Sequence, residues 1–184
     1  MNLPPWQQHR NMSSKKDKSL NEQLTLTKEL LLTAEKGDDE AREKSLGQVL
    51  EISKNLTEEN PKSSQAWLVL ALAEYWSNSL SAKESFETAL GLLKKSETGE
   101  KITCLYHIGK INLAKGDFKN SEKSFKKVLK MTPNHIHTLH DLSIVYAKTE
   151  RTKEAIKCLK MVIKENSDFP GAAENLSVLL FHEE

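Results

Sequence analysis

Glycine and proline are scarce. Seven Gly and five Pro in 184 residues are too few for a sandwich or barrel of many short strands, which needs turn residues every 8–12 positions or so. Cysteine is scarcer still. Cys104 and Cys158 lie far apart and form no CxxC pair, which excludes a disulfide framework and a cysteine zinc site. Each is expected as a small apolar residue in a helix, in keeping with a reducing compartment. No apolar run approaches the roughly 20 residues of a spanning helix. The first thirty residues lack the apolar core of a secretory signal. With one Arg and no amphipathic stripe, they also make a poor mitochondrial presequence. The expected location is cytoplasmic. Gly-rich phosphate loops, GxSxG, HExxH and nucleophilic Cys–His spacings are all missing, so neither catalysis nor a cofactor is expected.

What is present is amphipathic. Only 38% of residues are apolar and 29% are charged, so burial has to be efficient and one-faced, as it is for helices with an apolar stripe. The net charge of +1 is unevenly spread. Residues 101–164 hold fourteen Lys and Arg against five acids, residues 20–60 hold five against ten, and residues 165–184 hold five acids and no Lys or Arg. Such a distribution governs steering and solubility rather than fold.

The chain repeats itself. Leu105-x2-Ile108-Gly109-x2-Asn112, then Ser121-x3-Phe125-x2-Val128 and Pro133, returns 34 residues later as Leu139-x2-Leu142-Ser143-x2-Tyr146 and Ala155-x3-Leu159-x2-Val162. Earlier, Trp67-x2-Leu70-Ala71 and Ala82-x3-Phe86-x2-Ala89 follow the same scheme with a tighter turn near Asn78-Ser79. Lys36-Gly37-Asp38 with Glu43-Lys44-Ser45 and Val49-Leu50 recurs at an offset of 79 as Lys115-Gly116-Asp117 with Glu122-Lys123-Ser124 and Val128-Leu129. A 34-residue period of large-x2-Leu-small-x2-aromatic, then small-x3-large, then Pro, resembles the tetratricopeptide repeat. The resemblance covers about 160 residues and is weakest in the first copy, where Glu29 and Thr33 stand at positions that the repeat fills with apolar groups.

The resemblance implies an all-α fold: a right-handed superhelical solenoid of about four helical hairpins with a C-terminal capping helix. The expected organisation is a disordered tail over 1–19, with Trp6 its only aromatic, then a diverged repeat over 20–60. Repeats follow at about 63–95, 102–135 and 136–169, with a cap over 170–182. The first helix is expected from Leu20, and residues 94–100 are expected as an extended helix end and a longer connection. Stacked hairpins build one continuous core, and a terminal helix covers the last apolar face.

In this family the first helices line a concave groove that binds partner proteins. The matching positions are Leu72 and Tyr75, then Tyr106, Lys110 and Leu113, then His137, His140, Ile144 and Lys148. The expected function is a non-catalytic adaptor that holds a peptide or helix of another protein there, at positions taken to be free of packing duty. Three other readings carry less weight. His135, His137, His140 and Asp141 are metal-ligand types, but His137 and Asp141 form the only i,i+4 pair, so no metal is expected. Lys119, Lys123, Lys126, Lys127 and Lys130, with Lys153, Lys157, Lys160 and Lys164, make a basic stripe that invites nucleic acid. It lies on second helices with a single Arg and no interleaved aromatics, and a solvated face explains it better. The clamp by which some family members hold an acidic C-terminus needs Asn partners that are missing beside Lys110 and Lys148. A homo-oligomer through the terminal helix is the remaining alternative.

Overall fold

The computed structural model describes the backbone of residues 5–181 and the side chains of residues 19–181. Among these are nine α-helices and no strand: α1 (Pro5–Lys36), α2 (Asp39–Glu59), α3 (Ser64–Trp76), α4 (Ala82–Leu92), α5 (Thr98–Ala114), α6 (Phe118–Met131), α7 (Ile136–Lys148), α8 (Thr152–Glu165) and α9 (Ala172–Phe181). The closest packing is within successive hairpins, α1 with α2, α3 with α4, α5 with α6 and α7 with α8. The helices fall into two compact units, one ending at Leu92 and the other starting at Leu93.

In the first unit, Leu24, Leu31 and Ala34 of α1 meet Leu46, Val49 and Leu56 of α2 and Ala66, Val69 and Ala73 of α3. The i, i+7, i+10 spacing in α1 puts all three of its residues on one stripe. Asp38 caps α2 by accepting the Ala41 N–H at 2.9 Å, and Ser63 caps α3 by accepting the Ala66 N–H at 3.2 Å. Each satisfies a backbone donor that the first turn leaves free. At 21 residues, α2 is longer than the 14-residue α6, as Ile52 and Leu56 continue its stripe.

In the second unit, Phe125, Leu139, Leu142, Val145, Tyr146, Ala155, Leu159 and Val162 form the core, and Ala172 of α9 joins it. Asp117 caps α6 through the Asn120 N–H at 3.1 Å. His135 caps α7: its Nδ1 lies 3.3 Å from the Thr138 N–H and 2.8 Å from Thr138 Oγ1.

Two boundaries differ from expectation. The first helix starts at Pro5 rather than Leu20, so helix covers most of the stretch expected as a tail. Proline suits a first helical turn, where its missing N–H has no intrahelical partner to lose, and neither Gly nor Pro interrupts residues 6–36. Residues 1–4 and the side chain of Trp6 lie outside the described residues. The extended helix end expected after Leu93 does not form. Helix α4 stops at Leu92, and the Glu97 carboxylate accepts the Lys94 N–H at 2.6 Å, closing a local turn ahead of α5.

Candidate functional site

The first helices of the second unit bring most of the expected groove residues together. Tyr106 and Lys110 share a face of α5, and Lys110 Nζ stands 5.7 Å from the centre of the Tyr106 ring, within reach of a cation–π attraction. From Tyr106 a row of rings crosses to the start of α7. Tyr106 to His135 is 5.6 Å, His135 to His137 is 6.1 Å, and His137 to Phe169 is 5.3 Å, all between ring centres. Phe169 then meets His140 at 5.1 Å. His140 continues the row onto α9, with Nε2 3.3 Å from Asn175 Nδ2.

Beyond His140, α7 and α9 enclose a cleft of about 320 Å³. Ile144, Ala147, Leu159, Val178 and Leu179 give it apolar walls, and Lys148 and Asn175 supply polar groups. Ile144 and Val178 stand 34 positions apart in sequence, so the cleft is one repeat position seen on two consecutive first helices.

The premise that groove positions carry no packing duty fails for part of the set. Tyr106 and Leu113 are half-buried and pack on the core cluster, and the Tyr106 ring lies 6.1 Å from that of Phe125. Lys148 and His137 are exposed, whereas Lys110, His140 and Ile144 are half-buried. In the first unit, Leu72 packs against the core, and Tyr75 meets Phe86 edge-on at 6.4 Å.

Two histidines titrate low. Burial pushes the His107 imidazole below its ordinary value, against a hydrogen bond to the Thr103 carbonyl and with help from the Lys110 charge. Burial does the same to His135, aided by His137. Asp141 turns Oδ1 toward His140 Nδ1 at 3.5 Å. Its Oδ2 is buried with no hydrogen-bond partner among the described residues. No group of three or more His, Cys, Asp or Glu among those residues is arranged to hold a metal ion.

The lysines of α6 and α8 are exposed. One local network organises their outer surface: Glu122 accepts from Lys126 at 2.6 Å and from Arg151 at 2.9 Å, and Arg151 stacks 4.3 Å from the Tyr146 ring centre. Burial alone would raise the Glu122 carboxyl, but the hydrogen bonds from Lys126 and Arg151 outweigh it and hold the group below its usual value.

Sequence reasoning left Phe169 and Asn175 out of the site. The signal was available, since they lie 34 residues after His135 and Asp141. Phe169 stands in the turn before α9, and its contacts with His137 and His140 depend on how that turn folds.

Residues 112–176 match the family model for the tetratricopeptide repeat. Over that stretch the chain is similar to the tetratricopeptide repeat. Its fold is similar to that of PilF from Pseudomonas aeruginosa, at 15% identity and a TM-score of 0.71 over 92% of this chain and 71% of that one. It is also similar to MamA from Desulfovibrio magneticus RS-1, at 13% identity and a TM-score of 0.68 over 86% and 85%. YrrB, a repeat protein with an unusual peptide-binding site, superposes at 14% identity and a TM-score of 0.65 over 78% and 72%. These likenesses establish the all-α repeat fold. No curated protein matches the chain in sequence, and no helix among the described residues is long and apolar enough to cross a membrane.

Proposed function

We propose that this protein is a non-catalytic adaptor, and that the face shared by α5, α7 and α9 binds a peptide or helix of a partner protein. The observation that carries this reading is the cleft between α7 and α9. A concave apolar site with a few polar groups is the usual form of a recognition pocket. Ile144, Ala147 and Val178 would receive an apolar side chain of the ligand. Lys148 beside the cleft and Lys110 above Tyr106 favour acidic residues flanking that anchor, contributing steering more than affinity. Leu72 and Tyr75 belong to the corresponding face of the first unit. The peptide-binding character of YrrB supports assigning binding to this fold in general terms.

The test is capture of partners from native lysate by the wild-type chain, by Ile144→Arg with Lys148→Glu, and by Lys123→Glu with Lys127→Glu and Lys153→Glu. Affinities are then measured directly on the captured segment. The groove pair is expected to lose more than about tenfold in affinity, or roughly 1.4 kcal/mol, with an unchanged melting curve. The second-helix triple variant is expected to bind normally. The opposite pattern would move the site to the lysine face.

A further inference from the structure

The surface lysines of the second unit repeat more faithfully than its core. Helices α6 and α8 align residue for residue at an offset of 34, and five of their fourteen positions are identical. One is the core residue Val128, which recurs as Val162. The other four are Lys119, Lys123, Lys126 and Lys130, which recur as Lys153, Lys157, Lys160 and Lys164. All eight are exposed. With about 100° between successive residues, each set falls in one stripe about 60° wide. The stripe lies opposite the buried Phe125 and Val128 in α6, and opposite Leu159 and Val162 in α8. No acid stands in either stripe.

The two stripes face the same way. Phe125 of α6 and Leu159 and Val162 of α8 enter one core, so the sides turned away from it share one outlook. The helices are also tied at both ends. Arg151, just ahead of α8, donates to Glu122 near the start of α6 at 2.9 Å. Asn134, just after α6, donates to Glu165 at the end of α8 at 3.1 Å. The helices therefore run side by side in the same direction. Their crowns carry two rows of four ammonium groups, each row roughly 16 Å long. Among the described residues, Lys126 alone of the eight is in an ion pair, with Glu122 at 2.6 Å.

Local energetics do not favour this pattern. A solvated helix face sets Glu against Lys four residues apart, whereas here Lys119 repels Lys123 and Lys126 repels Lys130, as do their counterparts in α8. Lys119 and Lys153 stand in first turns, where the helix dipole opposes a cation. The second helices of the first unit show the ordinary alternative. The same repeat positions hold Glu40, Lys44, Gly47 and Glu51 in α2, and Glu84, Glu87 and Gly91 in α4. Chemistry narrows what eight lysines would meet. Reading bases takes Arg forks or stacking rings. The stripes carry neither, and Arg151 is committed to Glu122, Glu154 and the Tyr146 ring. A protein partner would use apolar anchors, and none lies in the stripes. A planar sheet of anionic phosphates asks for charge alone.

We propose that the lysine crowns of α6 and α8 dock on the anionic headgroups of a phospholipid bilayer. The contact is peripheral and reversible: the ammonium groups reach the phosphates, and no residue of the stripes enters the hydrocarbon. This surface lies on second helices, apart from the cleft between α7 and α9, so the second unit can hold a partner segment while resting on a membrane.

The full chain is sedimented with sucrose-loaded vesicles of phosphatidylcholine, alone or mixed with phosphatidylserine at about two to one. Binding is expected only to the mixed vesicles, and should fall at least about tenfold when salt is raised from about 0.1 M to about 0.5 M. The variant Lys119→Gln with Lys123→Gln, Lys153→Gln and Lys157→Gln should bind at least about fiftyfold more weakly, since each lysine at such a surface contributes about fivefold. A control variant, Lys28→Gln with Lys44→Gln, Lys54→Gln and Lys62→Gln, removes the same charge from exposed positions of the first unit. It should change binding less than about twofold. A random-sequence DNA duplex of about 20 base pairs is titrated in parallel. Four results would each overturn the proposal: no binding to the mixed vesicles, equal binding to the neutral ones, equal losses in the two variants, or tighter binding of the duplex at matched phosphate concentration, which would make nucleic acid the occupant. All eight substitutions sit at exposed positions, and melting curves verify that both variants fold.

Discussion

The hairpins α5–α6 and α7–α8 occupy the same repeat positions with different residues and so solve one packing problem in two ways. In the first, Gly109 faces the Phe125 ring so closely that a Cβ would stand 2.4 Å from it, and the small residue Ser121 hydrogen-bonds the Gly109 carbonyl. In the second, Ser143 and Leu159 stand at the positions of Gly109 and Phe125, so some volume moves from the second helix to the first while the larger side chain stays on the second. Asn112 in one becomes Tyr146 in the other, with Arg151 stacked on it. The sum of volumes across the interface is what the fold demands, and the individual residues are negotiable within it.

The largest way to break the comparison is to empty one side. Phe125 is fully buried, and Phe125→Ala should cost about 3–5 kcal/mol, read as a loss in denaturant midpoint at constant slope. A cost below about 1 kcal/mol would mean that Phe125 is not a core residue. A smaller and sharper change overfills it. Gly109→Ser should cost about 1–3 kcal/mol by forcing the Phe125 ring aside. Adding Phe125→Leu to that variant recreates the α7–α8 pairing, so the two changes should be strongly non-additive, with a coupling of about 1 kcal/mol or more in the favourable direction. Simple additivity of the two costs would show that the hairpins do not share one packing rule.

Those paired positions were legible in the sequence because packing at helix crossings is written in residue size at fixed spacing. Ser121-x3-Phe125 and Ala155-x3-Leu159 announce it, as Asp38 and Asp117 announce their helix starts. What was not legible depends on competition between alternatives of similar energy. Pro4-Pro5 reads as a block to early helix, yet α1 begins at Pro5, because proline is tolerated in a first helical turn. After α4 ends at Leu92, Glu97 accepts the Lys94 N–H and donates its own N–H to the Lys94 carbonyl, a local turn that no periodicity encodes. In the candidate site, the helix face of Ile144 and Lys148 followed from the repeat. The division of Tyr106 between core and groove did not, because a ring that large reaches Phe125 and His135 as well as the face it starts from.

Histidine 135 sharpens the comparison between the helix starts. Asp117 caps α6 with a carboxylate, whereas His135 caps α7 with an imidazole nitrogen, and an imidazole can accept only while it is unprotonated. Removing the cap with His135→Ala should cost about 1 kcal/mol. The pH dependence follows from the low-titrating imidazoles. His107 and His135 both sit below the ordinary value of about 6.5 when folded, so the unfolded chain takes up protons first. Their contribution is complete above about pH 6.5 and is lost as pH falls through the folded values. The melting temperature should therefore drop between pH 7.5 and pH 5.5. His135→Asn keeps a capping acceptor that does not titrate, and it should reduce that drop while leaving the pH 7.5 value nearly unchanged. An identical drop in the variant would assign the effect to His107 and the carboxylates.

The smallest expected effect lies in the turns, where the two hairpins differ again at one repeat position. Gly116 has φ of +74° and Glu150, 34 residues on, has φ of +59°. Both backbones are left-handed because each chain reversal needs it, yet only glycine takes that conformation without steric cost. A non-glycine L residue there carries about 1–2 kcal/mol of strain. Replacing Glu150 by Gly relieves it and gives back about 0.4–1 kcal/mol through the greater freedom of the unfolded chain. Glu150 is exposed, so little packing is lost. Glu150→Gly should stabilise the chain by about 0.5 kcal/mol, and Gly116→Glu should destabilise it by about as much. A differential denaturation series on the two variants reads both signs at once. If both variants were destabilised, the Glu150 side chain would be making a contribution of its own that outweighs the strain of its backbone, and the two turns would not be equivalent.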